Sequence, residues 1–65
     1  MRLRKGYRIR TANREGTITD FHFKNGHRTL SYVDDDERSW WCYKENIDQI
    51  QIKGEWIDWY KVYET

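Results

Sequence analysis

The first fourteen positions hold Arg2, Arg4, Lys5, Arg8, Arg10 and Arg14 and no acid. Cations this closely spaced can meet about six phosphates, each contact adding salt-dependent affinity through counterion release. Arg8, Arg10 and Arg14, set on a strand and the loop after it, would hold a phosphate backbone more firmly than Arg2, Arg4 and Lys5. A second group is Trp40-Trp41-Cys42-Tyr43. In a strand, alternate residues point to opposite faces. With Trp40 and Cys42 turned inward, Trp41 and Tyr43 face out. Outward rings beside arginines stack nucleobases, at about 1–3 kcal/mol per base, and Trp, Tyr and Arg are equally the residues that anchor protein interfaces. Arg8, Arg10, Arg14, Trp41 and Tyr43 are therefore the candidate contacts for nucleic acid or another partner. The plainer alternative is a solvated basic face partly neutralised by the acidic run at 34–37, with the two rings covered by residues 55–63. Both readings stay open at this point.

Other chemistry-bearing residues point to less. His22, His27 and Cys42 match no zinc-ligand spacing, and Cys42 on an inward strand position reads as a small buried hydrophobe. Asp34-Asp35-Asp36-Glu37 lacks the spaced ligands and glycine of a calcium loop and reads as a hairpin turn. No glycine-rich phosphate loop, nucleophile elbow or paired-carboxylate motif is present. The sequence thus predicts no enzyme, no cofactor and no metal site.

Composition limits the fold that can carry these residues. A chain of 65 residues makes one domain, here residues 1–65. Charged residues at 35% and hydrophobic residues at only 37% lean toward disorder, but 17% aromatic content and six isoleucines lean the other way. A few large rings, each burying roughly 150–250 Å², can build a compact core. No apolar run reaches the roughly 20 residues of a membrane helix and no leader pattern opens the chain, so a cytoplasmic protein with no membrane partner is the expectation. The net charge of +1 hides a basic N-terminal pole and an acidic remainder.

The segments between polar breaks favour strand. Residues 7–11 form a first strand with Ile9 inward and Arg8 and Arg10 outward. A second runs from 15 to about 23; Phe21 and Phe23 fall on the opposite parity from Ile18, and a bulge or sharp bend near Thr19-Asp20 would reconcile them. Asn25-Gly26 is a hairpin signal. A third strand follows at 28–33, an acidic turn at 34–37 and a fourth strand at 38–44. Glu45-Asn46 reads as a short 3₁₀-like turn. Residues 47–52 alternate, with Ile50 and Ile52 on one face and Ile47 on the other, and Lys53-Gly54 turns again. Residues 55–63 carry two signals. Trp56, Trp59, Tyr60 and Tyr63 are spaced as a helical stripe, whereas the Trp, Ile, Tyr and Val content and the preceding glycine turn favour a hairpin strand. The strand is the reading adopted, with a short C-terminal helix as the alternative. Apolar on both faces, this strand would need a cover, which makes Trp56, Trp59 and Tyr63 candidates for a protein interface or a homodimer.

Lys5-Gly6-Tyr7-Arg8-Ile9-Arg10 and Arg14-Glu15-Gly16-Thr17-Ile18-Thr19-Asp20-Phe21 resemble the opening of SH3-like barrels of the Tudor and KOW type. Tyr32-Val33-Asp34-Asp35-Asp36, Trp40-Trp41-Cys42-Tyr43 and Glu45-Asn46-Ile47-Asp48-Gln49-Ile50 resemble their third strand, acidic hairpin, fourth strand and closing turn. The resemblance spans about residues 5–52. It implies a non-enzymatic binding module: KOW-like barrels usually contact nucleic acid or the transcription and translation machinery, and Tudor-like barrels hold methylated or extended peptides on aromatic side chains. The first loop, Thr11-Ala12-Asn13-Arg14, departs from the KOW pattern. Type II dihydrofolate reductases resemble the chain in barrel order, but Trp41 stands where their Val-Gln-Ile-Tyr strand has the substrate-binding glutamine, so that activity does not carry over.

The expectation is a small all-β protein: a five- to six-stranded SH3-like barrel with a C-terminal hairpin strand, contacting nucleic acid or a nucleic-acid-associated complex through a basic, aromatic surface. The alternative is an assembly protein, of the kind found as phage or mobile-element accessories, that uses its aromatic C-terminal segment.

Overall fold

The computed structural model describes residues 2–62 and is all-β with one short helix. The strands are β1 (Arg8–Arg10), β2 (Glu15–Lys24), β3 (His27–Asp34), β4 (Ser39–Tyr43), β5 (Gln49–Ile52) and β6 (Glu55–Asp58). A 3₁₀ turn, Lys44–Asn46, separates β4 from β5, and α1 (Trp59–Val62) follows β6. All pairings are antiparallel, in one sheet of order β4-β3-β2-β1-β5-β6. No helix among the described residues is long and apolar enough to cross a membrane.

Turn chemistry sets the registers. Asn25 and Gly26 adopt φ of 52° and 80°, and Lys53 and Gly54 adopt 52° and 82°. Two successive residues with positive φ make the tight turn whose twist matches the flanking strands. The first such turn places Lys24 opposite His27, so Phe23 faces Arg28 and Phe21 faces Leu30. In the acidic turn, the Asp34 carboxylate accepts hydrogen bonds from the backbone N–H of Asp36 at 2.9 Å and of Arg38 at 3.0 Å, and from the Trp40 indole at 2.8 Å. These donors, the indole foremost, hold the Asp34 carboxyl below the usual carboxylate range. One acid of the run thus organises the hairpin.

The register of β2 against β3 slips between Ile18 and Asp20: Ile18 faces Tyr32, Asp20 faces Ser31, and Thr19 has no residue opposite. This is the bulge expected from the sequence. Residues directly opposite in a ladder share a face, so past the bulge Phe21 and Phe23 join the side that carries Ile18, Leu30 and Tyr32.

Ile9, Ile18, Leu30, Tyr32, Ile47, Ile50 and Trp59 form a single buried cluster. In the sheet order β3 and β5 are three strands apart, about 14 Å if the sheet were flat. Leu30 and Ile50 lie in the same cluster, so the sheet must curl around it. Ile47, whose parity set it apart from Ile50 and Ile52, is also buried, because it leaves the 3₁₀ turn before β5 begins. Tyr32, 2% exposed, keeps its hydroxyl within 3.3 Å of the Thr11 hydroxyl.

The C-terminal segment departs from a continuous strand. Strand geometry ends at Asp58 and the chain turns into α1. The parity of β6 sends Ile57, opposite Ile50, toward the core and Trp56 and Asp58 to the convex side. Continued extension would turn Lys61 inward and Val62 outward. One helical turn instead puts Trp59 and Val62, spaced i and i+3, against the core and leaves Tyr60 and Lys61 exposed. The Trp59 N–H donates to the Asp48 carbonyl at 2.9 Å, which fixes the start of that turn.

Gly16 of β2 has the backbone of β3 directly against it. A Cβ there would sit 2.6 Å from the Val33 carbonyl oxygen and 2.8 Å from Tyr32 Cδ2. Backbone cannot yield cheaply, so Gly16→Ala is expected to lower stability by about 1–3 kcal/mol, the usual range for overpacking. Urea unfolding followed by tryptophan fluorescence measures it; an unchanged midpoint would contradict this packing.

Candidate functional site

Arg8 and Arg10 point from β1 to the convex face, as their parity requires, but each is engaged there. Arg8 Nη2 donates to Glu15 Oε2 at 2.6 Å and to Asp35 Oδ1 at 3.4 Å, and Nη1 donates to Thr17 Oγ1 at 3.3 Å. Arg10 Nε donates to the second Glu15 oxygen at 2.9 Å and Nη1 to Gln49 Oε1 at 3.2 Å. The Arg10 guanidinium also lies 3.8 Å from the centre of the Trp56 ring. Gln49 continues the line by donating to Asp58 at 3.2 Å. A polar ladder therefore crosses β2, β1, β5 and β6. Its bonds from Arg8 and then Arg10 hold the Glu15 carboxyl below its ordinary range, and the bond to Glu15 raises the Arg8 guanidinium in turn.

Trp41 and Tyr43 face outward from β4, as expected; Trp41 is 51% exposed. Their rings meet edge to face at 5.4 Å, and His27 meets Tyr43 in the same way at 5.8 Å. Lys24 Nζ stands 4.2 Å above the Trp41 ring. This aromatic group and the arginine ladder share the convex side but not a patch: β3 and β2 lie between β4 and β1, a separation of about 14 Å along the sheet. Arg14 is elsewhere again, 3.5 Å from the centre of the Trp40 ring. Of the three residues expected at an interface, Trp59 is in the core at 2% exposure, Trp56 is half-buried beneath Arg10, and Tyr63 lies outside the described residues. Trp59 as an outward interface residue is therefore corrected: two positions after Ile57 it shares the core-facing parity, and the helical turn keeps it in the core.

The concave side offers a different site. Arg2 and Leu3 of the N-terminal segment, Phe21, Phe23, Arg28 and Leu30 of the β2–β3 hairpin, and Lys44 after β4 line an open groove of about 320 Å³. Among the described residues that line it, three are cationic and none is a carboxylate. Phe21 is 41% and Phe23 75% exposed, because the hairpin runs past the edge of the core. Lys44 lies along the Trp59 ring at 5.9 Å. Burial first, and the charge of Arg28 second, hold its ammonium below the ordinary lysine range. Cations thus gather at this groove, while Glu15 bridges two of those on the convex face.

Phe21 and Phe23 were expected to reach the core side, and they do so, yet they line a groove. Arg28 and Lys44 were not singled out at all. The signal was available in part: the Asn25-Gly26 turn dictates that Phe23 faces Arg28, a pairing that no closed apolar core would contain. Cys42 packs against the core while His27 stacks on Tyr43. Among the described residues no three of His, Cys, Asp and Glu come together to hold a metal ion. No known protein family, curated protein or solved structure matches the chain.

Burial pushes the Cys42 thiol up to about 11, against about 8.5 for a free cysteine. The native thiol is then almost wholly protonated at pH 8, and iodoacetamide should modify it about tenfold or more slowly than in urea. The linked stability is complete below the unfolded thiol's value and is lost as pH rises from about 8.5 toward 11. Equal labelling rates with and without urea would contradict the burial of this thiol.

Proposed function

We propose that this protein is a non-enzymatic module that binds nucleic acid in the concave groove of the β2–β3 hairpin. One observation carries the reading: exposed aromatic rings and cations line the same groove, with no carboxylate among the described residues of its lining. Such a groove attracts a polyanion and offers apolar faces to its bases. On the convex face, by contrast, Glu15 already occupies Arg8 and Arg10. Arg14, Trp41 and Tyr43 remain candidates for peripheral contacts. The strand order, the bulge in β2 and the 3₁₀ turn before β5 support an SH3-like barrel of the Tudor or KOW type. Support for the assembly reading is thinner, since Trp59 and Trp56 serve the chain's own packing.

Titration of a fluorescent 12-nucleotide single strand and the matching duplex at rising salt tests the proposal. Binding should appear at micromolar protein in low salt and weaken with salt. For three phosphate contacts the expected logarithmic slope is about −2 on a single strand. Arg28→Ala should reduce that slope by about 0.7, whereas Lys53→Asn, at a turn far from the groove, should leave it unchanged. Absence of binding in low salt, or binding indifferent to salt, would overturn the proposal.

A further inference from the structure

We infer that the groove selects unpaired nucleotides, with bases laid on Phe21 and Phe23 and the adjoining phosphate on Arg28. The inference rests on the nucleic-acid reading and adds the kind of strand and the contacts that choose it. Phenylalanine has no donor or acceptor, so in a duplex groove these rings can touch a thymine methyl but make no hydrogen bond to a base edge. Their larger contact is a flat face, which a base accepts only when unstacked.

Spacing makes the same demand. Phe21 and Phe23 are two residues apart on one strand, about 6.6 Å along its axis. Successive bases of a stacked strand rise about 3.4 Å. Two neighbouring bases can therefore meet both rings only if they are splayed from each other. Arg28, directly opposite Phe23 in the ladder and on the same face, is placed for the phosphate of the base on that ring. The open groove of about 320 Å³, at the lower end of ordinary ligand sites at about 300–1,000 Å³, has room for a nucleotide unit. An anionic membrane would also attract these cations. Phe23, 75% exposed, could meet a bilayer as well as a base, so binding to vesicles in place of oligonucleotides is one outcome of the test.

Three ligands should be compared at one salt concentration: an oligothymidine single strand, a blunt duplex of the same length, and phosphatidylserine-containing vesicles. The single strand should bind at least about tenfold more tightly than the duplex. Phe23→Leu, at a position 75% exposed and so compatible with folding, should weaken single-strand binding about tenfold and leave the salt slope and duplex binding unchanged. Phe23→Trp should restore the affinity. Circular dichroism of each variant confirms the fold. Equal affinity for both nucleic acids, or a neutral Phe23→Leu, would overturn the single-strand inference while nucleic-acid binding itself stands. Binding to vesicles but to neither oligonucleotide would overturn both.

Discussion

Thr19 is one residue more than β3 can pair with, and the shape of the molecule depends on that surplus. Up to Ile18 the second strand sends alternate side chains to the core. One unpaired residue reverses the alternation, so Phe21 and Phe23, which would otherwise stand on the convex face, turn to the concave one. The bulge also sharpens the local twist, which helps a six-stranded sheet curl far enough for Leu30 and Ile50 to share a core. Packing and the candidate site thus have a common origin. The strand that closes the core at Ile18 continues beyond it as one wall of the groove.

Charge is distributed by the same pleat. The chain is nearly neutral, yet its cations and acids are not paired uniformly. Parity puts Arg8 and Arg10 beside Glu15, Gln49 and Asp58, and Lys5 forms an ion pair with Asp20 at 3.3 Å next to the bulge. Asp34 is committed to backbone donors and the Trp40 indole. Glu15, Asp20, Asp35 and Asp58 meet cations or amides on the convex face, whereas Arg2, Arg28 and Lys44 are the cations among the described residues lining the concave groove. Exposed ion pairs of this kind contribute little stability. They decide instead which cations are tied to a carboxylate on the convex face.

Much of the fold was legible in the sequence. The Asn25-Gly26 and Lys53-Gly54 turns, the bulge, the 3₁₀ turn and the parity of Trp40 through Tyr43 follow from glycine placement and period-two alternation. The C-terminal segment was not, because it contains both periods: Glu55–Asp58 obeys the strand rule and Trp59–Val62 the helical one, and the choice between them is made by the core, which accepts Val62 and not Lys61. The candidate site was legible only in its residue types. Local sequence places arginines near rings, but it does not show that Glu15 bridges two of them, nor that the hairpin outruns the core and leaves two phenylalanines in a cationic groove. Those are properties of where the sheet ends, and they emerge only when all six strands are assembled.

Nuclear Overhauser spectroscopy on the isolated protein tests most directly whether the bulge sets the face of the distal hairpin. The account predicts cross-peaks from the Phe21 ring to the Leu30 methyl groups across the ladder, with none to the Trp41 indole. Cross-peaks from Phe21 to Trp41 in place of Leu30 would show that the alternation runs through Thr19 unbroken, and would contradict both the groove and the origin given for it.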